Sequence, residues 1–147
     1  MKLFVAIDDT DNRESIGTGK LARMLASELA ARDFAQALSV TRHQLLVHPD
    51  IPFTSHNSCA CIAGETAFTD IREITDCAVA FLECNFHEGA DPGLCVALER
   101  MPGDELVEFG LRAQQEVIQP GEARELAARL PVFTWWRGEP WRGCIGA

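Results

Sequence analysis

Residues 2–32 read KLFVAIDDTDNRESIGTGKLARMLASELAAR, and the fold is decided here. Lys2 to Ile7 is a short apolar run of the kind a buried strand makes. Thr18 to Arg32 puts Leu21, Met24, Leu25 and Leu29 at helical spacing. A strand that passes through a polar loop into an amphipathic helix opens an α/β or α+β layer structure. Working outward, Ala37 to Val47 is expected to be a second strand, HPDIPFTSHN (48–57) a loop marked by Pro49 and Pro52, and Ser58 to Ala63 a short strand. Ile71, Ile74, Ala78, Phe81 and Leu82 predict a helix over 71–86, although 78–82 alone also suits a buried strand. After the turn Asp91-Pro92-Gly93 come a strand, Leu94 to Leu98, and two helices, Asp104 to Ile118 and Gly121 to Leu130. The order β-α-β-β-α-β predicts a ferredoxin-like α+β sandwich with two additional C-terminal helices.

The chain has 147 residues, 47% of them hydrophobic, which is enough for one sizeable core. A single domain over 1–147 is expected, either whole or as the N-terminal part of a longer protein. With no long apolar run and no signal-peptide pattern, a cytoplasmic location without membrane contact is expected. The six cysteines lack paired C-x2-C knuckles, so they are expected to be reduced thiols rather than a zinc site. Cys59 and Cys61 would share one face of a strand. A net charge of -9 repels phosphate backbones at long range, so this domain alone should bind nucleic acid poorly.

The chemistry concentrates in the opening loop. Asp8, Asp9 and Asp11 crowd the end of a buried strand, where like charges raise one another's pKa unless a cation neutralises them. Mg2+ is the natural cation, since it takes one or two carboxylates plus waters and substrate phosphates. Asp9 with Asp11, or Asp8 with Asp11 after a turn, would converge on it, and the spacing does not choose. Opposite them, Gly17, Thr18, Gly19 and Lys20 open a helix. The glycines allow close approach of backbone N–H groups to a phosphate, the helix start carries partial positive charge, and Lys20 adds a full one. Thr18 is either an N-cap or a hydroxyl near the reacting phosphate. The plain alternatives are a solvated acidic turn and a flexible lead into a helix. A Walker A loop fails here, because Glu14 and Leu21 stand where it needs Gly and Ser or Thr. Asp9-Thr10-Asp11 also suits the nucleophile loop of haloacid-dehalogenase-type phosphatases, but Arg13 and the element order do not.

Taken together, Ile7-Asp8-Asp9-Thr10-Asp11, Thr18, Ile51-Pro52-Phe53, Asp91-Pro92-Gly93-Leu94 and the closing Gly143-Cys144-Ile145-Gly146-Ala147 resemble the N-terminal catalytic region of the archaeal isoleucine tRNA agmatidine synthetases. The resemblance implies an ATP- and Mg2+-dependent, kinase-like module that phosphorylates the C2 carbonyl oxygen of a wobble cytidine before agmatine displaces the phosphate. It implies that Asp8, Asp9 and Asp11 hold metal-bound triphosphate, with Thr18 at the γ-phosphate as a neighbour or as a phosphate acceptor. Two stretches depart from the family. Ser15 to Lys20 replaces a Gly-Met-Cys-Thr-Thr run, and Thr54 to Cys59 replaces a basic segment. The family's OB-fold and zinc ribbon have no counterpart here.

Arg42, His43, His48, His56 and Asn57 flank the second and third strands and could line the same pocket, His56-Asn57-Ser58 as nucleotide contacts above all. His87 is a weaker candidate. Trp135, Trp136 and Trp141 are interleaved with Arg137 and Arg142 and could stack a base or dock a further domain or second copy; packing on the core with arginines paired to acids is favoured. The expected function is ATP- and Mg2+-dependent phosphoryl transfer to an unidentified small-molecule or RNA acceptor, with tRNA possible only with help from elsewhere. The alternatives are a non-catalytic metal- or nucleotide-binding module and, as a minor one, a haloacid-dehalogenase-like phosphatase.

Overall fold

A computed structural model describes residues 1–10, 16–52, 57–138 and 142–147. In chain order the elements are β1 (Lys2–Asp8), α1 (Thr18–Ala31), β2 (Gln36–Gln44), β3 (Ser58–Glu65), α2 (Arg72–Asn85), β4 (Gly93–Leu98), α3 (Asp104–Ala113), α4 (Pro120–Arg129), β5 (Phe133–Trp136) and α5 (Gly143–Gly146). One antiparallel sheet runs β2-β3-β1-β4-β5. β1 takes the central place: it pairs with β3, Ile7 opposite Ala60, and with β4, Asp8 opposite Gly93. Each of α1 and α2 crosses one intervening strand, which is the ferredoxin-like arrangement the element order predicts. Among the described residues no helix is long and apolar enough to cross a membrane.

The core lies between one sheet face and α1 with α2. Leu3, Val5 and Ile7 of β1 meet Ile62, Leu94, Val96 and Leu98 from the flanking strands and Leu21, Leu25, Leu29, Ile74 and Leu82 from the helices. Each such side chain contributes about 1.5–3 kcal/mol on burial. Met24 is 41% exposed, because Ala22 and Ala26 put the buried arc of α1 on the other side of Leu25. On the opposite face α5 lies against β1 and β4, with α3 and α4 packed on α5.

Two segments differ from the expectation. α3 ends at Ala113 rather than Ile118, and Gln119 is extended (φ -85, ψ 143) ahead of Pro120, whose ring disfavours helical geometry in the residue before it. The Arg112 guanidinium pins this connection, donating to Glu116 at 3.1 Å and Glu122 at 3.0 Å. The other difference is a fifth strand, where the Trp-Arg tail adds Trp135 opposite Leu94 and Phe133 opposite Val96. Trp135 packs against the core, while Arg137 sits 5.3 Å over the Phe86 ring and 3.8 Å from Glu83, as the packing alternative predicts. Trp141 lies outside the described residues. All six cysteines are free thiols.

Candidate functional site

β1 delivers Asp8 to the end of the sheet, and the chain turns sharply at once. Asp9 has φ 49, in the left-handed region that Asp and Asn adopt more readily than other side chains. The turn sends the Thr10 side chain inward, to 1% exposure, where its Oγ1 donates to Thr18 Oγ1 at 3.0 Å. The Thr10 carbonyl accepts the His87 N–H at 3.2 Å. One buried threonine therefore ties the acidic turn to the start of α1 and to the segment after α2.

Gly17 enters α1 at φ 82, ψ 147, a conformation that side chains rarely adopt, and its carbonyl accepts the Leu21 N–H at 3.1 Å. No side chain caps α1 among the described residues, and the helix start, with its partial positive charge, is formed by Gly17, Thr18 and Gly19. They face a cleft of ≈ 570 Å³. Its lining combines Asp8, Asp9, Gly17, Thr18, Gly19 and Arg23 with the apolar Leu45, Ile51, Pro52, Val117 and Ile118, and Arg42 and Arg142 stand on its walls.

Most of the expected residues thus meet in one place. Asp8, Asp9, Gly17, Thr18, Gly19, Asn57 and Ser58 all line the cleft. Lys20 is exposed and does not line it; Arg23, one turn further along, supplies the cation instead. Its Nη1 lies 3.9 Å from where a side chain on Gly19 would begin. Asp11 and His56 lie outside the described residues. Asn57 has a structural task, since its Nδ2 donates to the Leu46 carbonyl at 2.6 Å and its carbonyl accepts the Leu45 N–H at 2.7 Å. His43 is engaged with Thr41 Oγ1 at 2.9 Å, and His48 Nδ1 accepts the Asp50 N–H at 3.2 Å.

Among the described residues, no three His, Cys, Asp or Glu side chains gather as a metal cluster. Two carboxylates beside a helix start are nevertheless a hard-oxygen donor set of the size Mg2+ uses when phosphates complete its shell. The negative field there is felt by Cys59: burial first, and the Asp8 carboxylate second, push its thiol up to about 12. Burial likewise raises Asp91 behind α5, with Arg142 opposing it. Arg23, the α3–α4 connection and α5 were not foreseen as walls of the site. Arg23, one turn past Gly19 on the helix, and the closing Gly143 to Ala147 stretch left a signal in the sequence, whereas the α3–α4 connection left none.

No family model matches the chain. A curated relative, the isoleucine tRNA 2-agmatinylcytidine synthetase TiaS of Pyrobaculum neutrophilum, is 29% identical over 150 residues, spanning all of this chain and 34% of that protein. The chain is homologous over its whole length to the N-terminal part of TiaS. It spans about a third of that relative's length. The fold agrees: a crystallised complex of TiaS with its isoleucine tRNA and ATP superposes with a TM-score of 0.82 at 24% identity, covering all of this chain and 35% of that one. A complex of TiaS with the same tRNA, AMPCPP and agmatine gives 0.80 at 23%, over all of this chain and 35% of that one. A tRNA fluorescent labeling enzyme gives 0.83 at 24%, over all of this chain and 34% of that one.

Proposed function

We propose that this chain is an ATP- and Mg2+-dependent phosphoryl-transfer module. The observation that carries this reading is the convergence of Asp8 and Asp9 with Gly17, Thr18 and Gly19 at the start of α1 in the lining of one cleft. The relatives support it, since TiaS has been crystallised with its isoleucine tRNA together with ATP, and with AMPCPP and agmatine.

In this reading the first-turn N–H groups of α1 and the Arg23 guanidinium bind the polyphosphate. The apolar part of the lining, Ile51, Pro52 and Val117 among it, takes the nucleoside. Asp8, Asp9 and Asp11 would hold Mg2+, which when bound neutralises phosphate charge. Thr18 presents its hydroxyl to the terminal phosphate, and Thr10 fixes the orientation of that hydroxyl. Little covalent chemistry is asked of the protein, because positioning and charge stabilisation carry most of such a reaction. The acceptor is an RNA or small molecule; the isoleucine tRNA held in the TiaS complexes would need basic surface beyond this acidic chain. A haloacid-dehalogenase-type site is not proposed, because it requires a parallel, doubly wound sheet and this sheet is antiparallel.

Isothermal titration tests the reading. ATP with Mg2+ is expected to bind the wild type at a single site, and binding is expected to vanish with EDTA or with Asp9→Asn, which keeps a residue at ease in the left-handed region. A non-catalytic module would bind but never release or transfer phosphate. No binding at millimolar Mg-ATP would overturn the phosphoryl-transfer reading and leave only a metal-binding module, which Mg2+ alone would stabilise.

A further inference from the structure

The closing helix sits closer to the acidic turn than any side chain would allow. A Cβ built on Gly146 would overlap the Asp8 carboxylate, with Cγ at 2.6 Å, and would press on Leu45 Cδ1 at 2.9 Å. The approach is set from behind by two more glycines. A Cβ on Gly93, the residue paired with Asp8 across the sheet, would run into the backbone of Gly143, and one on Gly143 into the backbone of Asp91 and Gly93. The Gly143 N–H donates to the Asp91 carbonyl at 3.1 Å, and the Ala147 N–H closes the turn onto the Gly143 carbonyl at 3.1 Å. α5 is thereby seated backbone-on-backbone against β4, and its far end reaches Asp8.

We infer that Gly146 is a positioning residue, the backstop that sets where the Asp8 carboxylate stands at the cleft. The inference rests on the reading of that cleft as a Mg-nucleotide site. Strand β1 is fixed by pairing on both sides, so a group added at position 146 leaves the short Asp8 side chain to move. Its rotation takes the carboxylate off its place in the cleft lining, while the sheet stays intact. Glycines at 110 and 121 have nothing within 4 Å of an added Cβ and serve as controls.

Gly146→Ala is expected to weaken Mg-ATP binding by about tenfold or more and, through overpacking, to lower Tm by a few degrees. Gly121→Ala should leave the affinity unchanged and should not lower Tm. In an Asp8→Ala background, where the carboxylate is gone, adding Gly146→Ala should lower Tm much less than it does in the wild type. An equal Tm loss in both backgrounds, or unchanged Mg-ATP affinity in a folded Gly146→Ala protein, would overturn the inference. If the wild type itself fails to bind Mg-ATP, the nucleotide reading falls, and the thermal cycle still decides the Gly146–Asp8 contact.

Discussion

Thr10 does at the residue scale what the neighbouring aspartates cannot do for themselves. It is buried to 1%, and its hydroxyl meets Thr18 Oγ1 at 3.0 Å. A hydroxyl without a partner there would carry a desolvation cost of about 1–3 kcal/mol. Thr10→Val keeps the shape and removes the bond, whereas Thr10→Ser keeps the bond. If Thr10 acts through Thr18, Thr10→Val lowers phosphoryl transfer at saturating Mg-ATP with little change in apparent nucleotide affinity, and Thr10→Ser restores it. The same change made on a Thr18→Ala background should then have almost no further effect. Equal losses in both backgrounds would show that Thr10 serves the fold alone. Asp9 depends on the same turn: at φ 49 it points where a strand residue would not.

At the scale of elements, β3 contributes Cys59 and Cys61, β4 contributes Cys95 and α5 contributes Cys144. Burial pushes Cys59 to about 12 and Cys95 and Cys144 to about 11. A thiol raised in the folded state is favoured there in its protonated form. Its contribution to stability is therefore complete below the ordinary thiol pKa and is lost only as pH climbs through about 11. At pH 8, alkylation of the native protein should mark exposed Cys84 first and leave Cys59 and Cys95 protected until unfolding, as read by peptide mass spectrometry. Labelling of Cys59 as fast as Cys84 would contradict this packing.

The elements also show what local sequence can and cannot encode. β1 and α1 were legible because the apolar run, helical spacing and the Gly17-Thr18 start all agree within the first 31 residues. β5 was not, because four residues of strand exist only through pairing with β4; its tryptophans suggested packing on the core but not a strand. The end of α3 was overrun, since Val117 and Ile118 continue an apolar pattern while facing the cleft rather than a helix groove. In the site, Asp8, Asp9, Gly17 and Thr18 stood out by chemistry, whereas Gly146 did not. Its role comes from contact between opposite ends of the chain, which no local pattern carries.

Across the whole molecule, the fold closes on itself at one place. The end of β1, the start of α1, the α3–α4 connection and α5 enclose one cleft, and Arg23, Arg42 and Arg142 line it in a chain with net charge -9. The arginines share it with Asp8, Asp9, Asp50 and Glu116, so a polyanion held there would need a cation to offset the acids, and the acidic chain as a whole does not suit a nucleic acid gripped along its surface. The chain matches about a third of the length of TiaS.

In the proposed function the acidic turn and the mouth of α1 together hold a metal-bound polyphosphate. Paramagnetic broadening of backbone amide signals in 15N-labelled protein, titrated with Mn2+ and ATP, tests it most directly. The account predicts that Asp9, Thr10, Gly17, Thr18 and Gly19 broaden first and only with both present, and that Asp8→Asn removes the effect. Broadening centred on α3 and α4, or spread evenly over the acidic surface with no preference for the start of α1, would contradict it.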